Sequence, residues 1–456
     1  MVNASLQKNS SVRLSIESLS SDGAGVAHVG GMAVFVPFTA PGDVVDAKIV
    51  KVCKTHAFAI VQKVETPGPG RAEPSCPVFG KGGCALAHLS YDEELVQKHR
   101  FVADAMRRIG GLSCEILPIL PSPCVQGYRN KAQYPLCRDS DGHIRAGFYA
   151  PRSHRVVPCE SCALQPPLFA AILRTVCRLL EQAGASVYDE ASRRGLVRHI
   201  YLRHAVRTDR VMVCLVCTKA RLGFEQAFCA ALTAAHPQVR SVILNVNPAA
   251  TNVILGRQCR TLWGEDTLAD TLCGVPVRLS PLSFYQVNTL GAEQLYGEAA
   301  RMAQLDSGDT LLDLYCGAGT IGLSMAAACR QLVGAEIVPE AVENARANAT
   351  RMGAGNARFL CADAAEAAQQ LLAEGLRPDV VVLDPPRKGC DEATLSTVAS
   401  MGPRRVVMVS CNAATAARDA AWLAAHGYAP EGVRPVDMFP RTKHVEAVIR
   451  FSRQAL

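Results

Sequence analysis

Short apolar runs alternate with alanine-rich segments from about residue 291 onward, and this alternation narrows the choice of fold more than any other feature. The intervening segments 341–352 and 413–425 have a helical composition. Regular alternation of strands and helices is typical of a doubly wound parallel sheet. We predict strands at residues 311–315, 331–337, 357–361, 379–384, 404–410 and 445–451. The sequence therefore predicts a Rossmann-like α/β domain over residues 291–456.

Two further domains are expected before this sheet. Residues 13–64 contain short strand-like runs separated by glycines, which is typical of a small β-barrel. After a linker at 66–70, a mixed region begins with a charged helical stretch from Tyr91 to Arg108. We predict a β-barrel over residues 1–65 and a mixed α+β central domain with a cysteine-rich loop over residues 66–290.

The bulk composition limits the class of protein. The chain has 456 residues, 49% of them hydrophobic, so it can build more than one core. Its net charge of +7 suits an acidic partner. No stretch approaches the roughly 18 apolar residues of a membrane span, and the N-terminus has no apolar leader. We expect a cytoplasmic protein with no membrane partner.

The 19 cysteines could indicate disulfides, a metal site or a reducing compartment. Disulfide scaffolds are short and secreted, and we expect this chain to be neither. We therefore expect reduced thiols, most of them as small core residues. The residues expected in the core are Cys214, Cys217, Cys229, Cys273, Cys329 and Cys361.

A local excess of positive charge lies between residues 193 and 210, where six arginines face one acid. Two interpretations stay open. The arginines form a solvated face, or they form a surface that contacts phosphates.

A glycine-rich turn follows the first strand of the predicted sheet. Residues 317–322 satisfy the G-x-G-x-x-G pattern of dinucleotide-binding loops, so NAD stays open on the loop alone. Glu336, Asp363 and Asp384 lie at the ends of the second, third and fourth strands. Acids at these three strand ends favour S-adenosylmethionine, since one can accept from ribose hydroxyls and another from an adenine amino group.

Two more chemically capable residues lie at predicted strand ends. Cys411 follows the fifth strand between the polar residues Ser410 and Asn412, which a purely structural core cysteine would not need. Glu446 begins the last strand, where an acid either takes part in chemistry or acts as a solubilising charge on an edge strand. A strand-end cysteine beside a cofactor loop indicates nucleophilic catalysis.

Five ordered motifs resemble those of the RNA 5-methyluridine (uracil-C5) methyltransferase family. Residues 128–131 and 147–149 also resemble the central domain of that family. The N-terminal barrel is similar to the TRAM domain, an RNA-binding barrel found in the ribosomal-RNA branch and absent from the tRNA-specific bacterial branch. The five motifs are residues 283–288, 313–319, 384–389, 410–412 and 444–446.

The resemblance implies an S-adenosylmethionine-dependent enzyme that methylates uracil C5 in RNA through a covalent cysteine–C6 adduct. It implies 23S ribosomal RNA as substrate. We also expect an RNA-contacting surface on the central domain, no DNA partner and a monomer. Cys411 would be the nucleophile and Glu446 the proton acceptor. The cofactor contacts would be Gln286, Tyr315, Glu336, Asp363 and Asp384, with Thr320 where some relatives carry an asparagine.

Two groups of alternatives stay open. The same chemistry on a tRNA uridine is one, and a non-catalytic RNA-binding or assembly factor is another. An amino-group methyltransferase would have an aromatic residue after Asp-Pro-Pro, whereas Arg387 stands there.

The same family carries an iron–sulfur motif, and this chain matches it in part. Cys76, Cys84 and Cys162 match three ligands of a [4Fe–4S] cluster, which takes four thiolates. The expected second cysteine is absent from the run that ends Lys81-Gly82-Gly83-Cys84. The resemblance implies either a cluster that Cys159 completes, a labile three-cysteine site or a vestigial loop.

Overall fold

The computed structural model describes residues 6–454, and the chain divides into two compact units. The first comprises residues 1–122, 411–421 and 432–447, and the second comprises residues 123–410, 422–431 and 448–456. Neither unit is continuous in sequence, so the predicted three-domain division at residues 65 and 290 stays a prediction.

The first unit begins with a six-stranded sheet in the order β1-β5-β6-β4-β3-β2. β1 pairs with β5 at one end of this order, while β2 pairs with β3 at the other. Because residues 16 and 17 join β1 directly to β2, and Glu17 N donates to Val26 O in β3, the sheet closes into the predicted barrel. Its strands are β1 (Ser11–Ser15), β2 (Ser18–Leu19), β3 (Ala24–Val29), β4 (Met32–Pro37), β5 (Val44–Val52) and β6 (His56–Thr66).

Helix α1 (Tyr91–Arg108) follows the barrel and has the bounds that its sequence predicts. Ser90 caps it, since its side chain accepts from Glu93 N. Acids fill its first turn and Arg107 and Arg108 its last, which matches the helix dipole. Lys98 lies fully buried on the inner face of the helix.

The second unit contains a seven-stranded sheet in the order β13-β12-β11-β10-β7-β8-β9 and a hairpin of β14 and β15. α2 and α3 pack on the sheet and bury its apolar face. The strands are β7 (Lys131–Arg138), β8 (Ile144–Tyr149), β9 (Val156–Pro158), β10 (Val197–Ala205), β11 (Arg210–Cys217), β12 (Val239–Val246), β13 (Gln258–Gly264), β14 (Leu268–Leu272) and β15 (Val275–Leu279), and the helices are α2 (Pro167–Gln182) and α3 (Glu225–Ala235).

The last third of the chain forms a seven-stranded sheet in the order β18-β17-β16-β19-β20-β22-β21. β16 to β20 are parallel, which confirms the predicted Rossmann-like fold. The strands are β16 (Thr310–Leu314), β17 (Gln331–Glu336), β18 (Ala357–Cys361), β19 (Val380–Leu383), β20 (Arg405–Ser410), β21 (Tyr428–Val436) and β22 (Glu446–Arg453). The helices are α4 (Thr289–Ala303), α5 (Thr320–Met325), α6 (Pro339–Met352), α7 (Ala364–Ala373), α8 (Glu392–Met401) and α9 (Ala413–Ala425), and a 3₁₀ turn spans Ala326–Ala328.

The direction of β22 follows from the backbone contacts at its end. Arg453 N donates to Arg404 O, and Gln454 N donates to Gly427 O. The end of β22 therefore lies beside the starts of both β20 and β21, so β22 runs antiparallel to them. Its first residue, Glu446, consequently begins at the edge of the sheet where β20 ends.

Some expectations about individual residues are confirmed and others are wrong. Cys214, Cys217, Cys229 and Cys329 are buried as predicted, whereas Cys273 is half-buried and Cys361 is exposed. Cys361 ends β18, the outermost strand of its sheet, and this position gives it less cover than a central strand would. Over residues 6–454, no helix is both long and apolar enough to cross a membrane.

Candidate active site

The turn after β16 has the backbone conformation that the glycine pattern predicts. Gly317 and Gly319 have φ of 56° and 75°, and Tyr315 has φ of 64°, an uncommon value for a residue with a side chain. A Cβ on Gly322 would lie 2.7 Å from Asp313 Oδ2. Glycine at 322 therefore lets the helix that follows approach the strand closely, as in dinucleotide-type loops.

Asp313 joins the strand to this helix. Its Oδ2 accepts from Gly322 N at 2.8 Å, while its Oδ1 is buried with no hydrogen-bond partner among the described residues. Burial, together with the charges of Asp384 and Glu336, raises the pKa of Asp313 to about 7. Three carboxyl groups therefore lie near the end of β16. Their negative electrostatic potential favours a cationic ligand.

Glu336 is the last residue of β17, and Asp363 lies just after the end of β18. Glu336 Oε2 accepts from Gly317 N at 3.0 Å, and its Oε1 accepts from Val338 N at 2.9 Å. Asp363 caps α7, since its Oδ1 accepts from Ala365 N at 3.0 Å. The structure brings Glu336 to the glycine turn, and it gives Asp363 a capping role at the end of the neighbouring strand.

Tyr296 of α4 brings together three of the predicted cofactor residues. The charge of Asp384 and the side chains of Gln286 and Thr320 all act on its buried hydroxyl, and burial is the largest cause of its raised pKa. Burial also raises the pKa of Asp384 to about 7. Sequence reasoning missed Tyr296 because its apolar helical spacing is that of an ordinary core residue.

A buried arginine supports the loop that carries Gln286. Arg203 donates to Ser280 O and Ser283 O, both at 2.7 Å. Asn130 Nδ2 donates to Gln286 O at 2.8 Å. Between these supports Phe284 is 79% exposed, so the loop presents an aromatic ring to solvent from a rigid base.

Cys411 and Glu446 belong to the same compact unit. Cys411 directly follows β20, and Asn412 caps the helix after it, because Ala414 N donates to Asn412 Oδ1 at 3.0 Å. Glu446 is only 5% exposed, and β22 is an internal strand. The interpretation of Glu446 as a solubilising edge charge is therefore wrong.

The cysteines of the predicted iron–sulfur site come from both compact units. Cys76 and Cys84 lie before α1, and Cys159 and Cys162 follow β9, with Cys159 Sγ donating to Ser161 O at 3.0 Å. In the described part of the chain, no three His, Cys, Asp or Glu side chains group as metal ligands would. A cubane cluster takes four thiolates, and the family motif is matched here by three cysteines.

The arginine-rich stretch contains buried, ion-paired and exposed side chains. Arg198 and Arg203 are buried, because β10 is an internal strand with both faces covered. Arg207 pairs with Glu293, and Arg210 pairs with Glu265. Arg193 and its neighbour Arg194 are exposed, so the stretch is not a solvated face throughout, and phosphate contact by its exposed arginines stays a prediction.

The fold and its acidic strand ends define a doubly wound domain of the kind that binds a nucleotide-containing cofactor. A family model described as tRNA (uracil-5-)-methyltransferase matches residues 90–454. A second model, described as the TRAM domain of tRNA (uracil(54)-C(5))-methyltransferase, matches residues 12–63.

Individual proteins agree with these models. An RNA methyltransferase of Halalkalibacterium halodurans is 42% identical over 447 residues, which is 98% of this chain and 97% of that protein. One of Listeria innocua is 42% identical over 444 residues, 97% of this chain and 98% of that protein. The crystal structure of Pyrococcus abyssi tRNA (uracil-54, C5)-methyltransferase in complex with S-adenosyl-L-homocysteine has a TM-score of 0.76 and 26% identity, covering 96% of this chain and 100% of that one.

The chain belongs to the S-adenosylmethionine-dependent RNA uracil-C5 methyltransferase family and carries its TRAM domain.

Proposed function

We propose that this enzyme methylates C5 of a uridine in RNA through a covalent adduct between Cys411 and C6 of the base. The observation that carries the proposal is the antiparallel β22, which begins with a buried acid, Glu446, at the edge where β20 ends and Cys411 follows. One thiol and one carboxylate are the two groups that this chemistry needs. We further propose the three domains at 1–65, 66–290 and 291–456, and a cytoplasmic location where cellular RNA is found.

S-adenosylmethionine fits the residues around the glycine turn. Glycine at 322 lets α5 lie close to β16, and Asp313, Glu336 and Asp384 supply negative charge around the turn. Gln286, Tyr315, Thr320, Glu336, Asp363 and Asp384 would hold the cofactor. When bound, it supplies an electrophilic methyl group on a positively charged sulfur.

Cys411 performs the first step. Uracil C5 is a weak nucleophile, so the Cys411 thiolate adds to C6 and forms a carbon–sulfur bond. The electrons of the C5–C6 double bond move toward C5 and O4, which makes C5 nucleophilic enough to take the methyl group. Cys411 directly precedes a helix N-terminus, whose dipole favours a negative charge there. The target base must leave any stack to reach the thiol.

Glu446 completes the reaction. After methyl transfer, C5 still carries its original proton, and the carboxylate removes it. The electrons of that C–H bond re-form the C5–C6 double bond and release the thiolate from C6. Burial of Glu446 keeps bulk water away from the proton acceptor.

We propose 23S ribosomal RNA as the substrate and carry a tRNA uridine as a second candidate. The TRAM barrel was the reason to favour ribosomal RNA. However, the model that matches residues 12–63 is itself named for a tRNA (uracil-54-C5)-methyltransferase, so the barrel does not separate the two substrates. The choice needs a direct comparison of the two RNAs.

Two variants test the chemistry. Cys411→Ala should abolish both methylation and every covalent RNA adduct. Glu446→Gln should instead accumulate the methylated adduct, visible as a gel shift that resists denaturant, because elimination requires removal of the C5 proton. Full turnover by Cys411→Ala would refute the mechanism.

The substrate is tested with wild-type protein and labelled S-adenosylmethionine. Methyl transfer to 23S ribosomal RNA, mapped by mass spectrometry, with none to tRNA transcripts, is the expected result. The reverse pattern would reject the ribosomal assignment and leave the mechanism intact. A matched control, Cys390→Ala, removes a different buried cysteine of the same domain and should still permit adduct formation.

A further inference from the structure

The outer surface of the N-terminal barrel carries a cluster of three aromatic rings. Phe35 lies on β4, and His56 and Phe58 lie on β6. The ring centroids of Phe35 and Phe58 are 5.7 Å apart, those of Phe35 and His56 are 5.7 Å apart, and those of His56 and Phe58 are 5.1 Å apart. We name these three side chains the ring cluster.

The ring cluster faces outward because of strand alternation. Ala57 and Ala59 point into the barrel core, so Phe58 and Ile60 point away from it. Phe58 is 38% exposed and Ile60 is 49% exposed. The barrel core is already filled by other side chains, so packing inside the barrel does not account for these outward-facing apolar groups.

Lysines border the ring cluster on the neighbouring strand. In the register of β5 and β6, Lys51 lies opposite Phe58 and Lys48 lies opposite Ile60. Lys54 follows in the turn between the two strands. None of these three lysines forms an ion pair with any acid among residues 6–454.

The rest of the same sheet is electrostatically different. Asp46 pairs with Arg13, and Glu65 pairs with Lys63 and lies 3.5 Å from Arg13. At one end of β5 and β6, the acids are therefore paired with basic side chains. At the other end, the three lysines have no acidic partner among residues 6–454. Unpaired cations beside exposed rings form a surface complementary to a chain that carries both anionic groups and flat bases.

We propose that the ring cluster and Lys48, Lys51 and Lys54 form a stacking platform for an unpaired, single-stranded segment of the RNA substrate. Unstacked bases can lie on aromatic side chains, whereas bases inside a duplex cannot. The lysines contact the phosphates on either side. This inference rests on the proposed function, since it assigns part of the substrate to a defined face of the barrel.

The test measures binding of the full-length protein to a fluorescently labelled single-stranded oligoribonucleotide over a series of salt concentrations. Phe58→Leu keeps an apolar side chain but removes the ring, and should weaken binding roughly tenfold. Phe58→Trp should retain binding, because it restores a ring. Lys51→Gln should lower the salt slope by about one, whereas Phe58→Leu should leave that slope unchanged.

Ile60→Ala is the matched control, since it removes exposed apolar surface from the same face without removing a ring. Equal weakening by Ile60→Ala and Phe58→Leu would overturn the stacking role and indicate a general apolar contact. Unchanged affinity and salt slope in both Phe58→Leu and Lys51→Gln would also overturn the proposal. Since Phe58 is exposed, thermal melting of Phe58→Leu should match that of the wild type.

The result stays separate from the chemistry at Cys411. Phe58→Leu should raise the KM for RNA, whereas the control Ile60→Ala, which lies outside the platform, should methylate as the wild type does. Wild-type protein that binds RNA through the ring cluster but forms no 5-methyluridine would reject the proposed function and support this inference.

Discussion

Lys98 Nζ lies 2.7 Å from Asp437 Oδ1, and both side chains are fully buried. The same ammonium group lies 2.7 Å from Glu94 Oε1 and donates to Phe439 O at 3.0 Å. Tyr91 donates to the other carboxylate oxygen of Asp437 at 2.8 Å. The buried cation thus ties α1 to the segment that leads into Glu446, more than 300 residues later in sequence.

Lys98→Met should strongly destabilise the protein. The substitution keeps most of the side-chain volume but removes the buried cation from Asp437 and leaves Glu94 with Arg441 alone at 3.5 Å, a change that typically costs about 3–5 kcal/mol. Urea unfolding measures the effect. Arg107→Met is the control on the same helix, because its partner Asp104 lies at the surface, and its cost should be about 0–1 kcal/mol. Equal costs would contradict a structural role for the buried cation.

The affinity for S-adenosylmethionine should rise as the pH increases through about 7. Burial raises the pKa of Asp384 to about 7, so its carboxyl is neutral below that pH and anionic above it, when it attracts the cationic cofactor. The gain should not exceed about tenfold per pH unit. Isothermal titration calorimetry between pH 6 and 8 measures it.

Asp384→Asn should flatten this pH profile. Asp379→Asn is the matched control, since Asp379 directly precedes β19 at the opposite end and should leave the profile unchanged. The stability of the cofactor-free protein follows the opposite sign. Because the pKa of Asp384 is higher in the folded state than in the unfolded state, the folded protein keeps this proton up to a higher pH. The stability that proton binding contributes is therefore lost as the pH rises from about 4 through 7.

Arg203→Lys should loosen the loop around Phe284. A lysine cannot donate to Ser280 O and Ser283 O in the same fork as the guanidinium, and a hydrogen bond to a charged group contributes about 1.5–3 kcal/mol. Hydrogen exchange of the amides at residues 280–287 should accelerate. Arg207→Lys, at the exposed pair with Glu293, should leave those amides as protected as in the wild type.

Protein purified without oxygen should be colourless and hold no stoichiometric iron. Three matching cysteines and Lys81 before Gly82 leave the family motif one thiolate short, and no metal-binding group forms over residues 6–454. Cys76→Ser and Cys159→Ser should each leave methylation unchanged. Brown protein with about four irons per chain, bleached by Cys159→Ser, would show that Cys159 completes the cluster after all.

The parallel strands were predictable because a strand that is buried on both faces consists almost entirely of apolar residues, and such a run is visible in the sequence. Strands such as Val380–Leu383 are buried on both faces and read as continuous apolar runs. β21 was missed because Pro430, Glu431 and Pro435 interrupt its pattern. It lies at the edge of the sheet, where prolines are tolerated.

Side-chain environments were less predictable than strands. The sequence shows that Arg198 and Arg203 are charged, but their burial depends on strands β7 and β11, which flank β10. Tyr296 is similar, since its position beside Gln286, Thr320 and Asp384 arises from segments distant in sequence. Cys411 and Glu446 could be proposed because each lies next to a strand end, and the apolar pattern of a strand shows where that strand ends.

The position of β22 has a consequence for synthesis of the chain on the ribosome. β22 is the last strand of its sheet in sequence, yet it lies between β20 and β21. Until residues 446–453 emerge, both of those strands expose unpaired backbone edges, which invite association with other chains. A nascent chain would therefore hold Cys411 without Glu446, and ribosome stalling before residue 446 should leave a protein that is prone to aggregate and, under the proposed mechanism, cannot act on RNA.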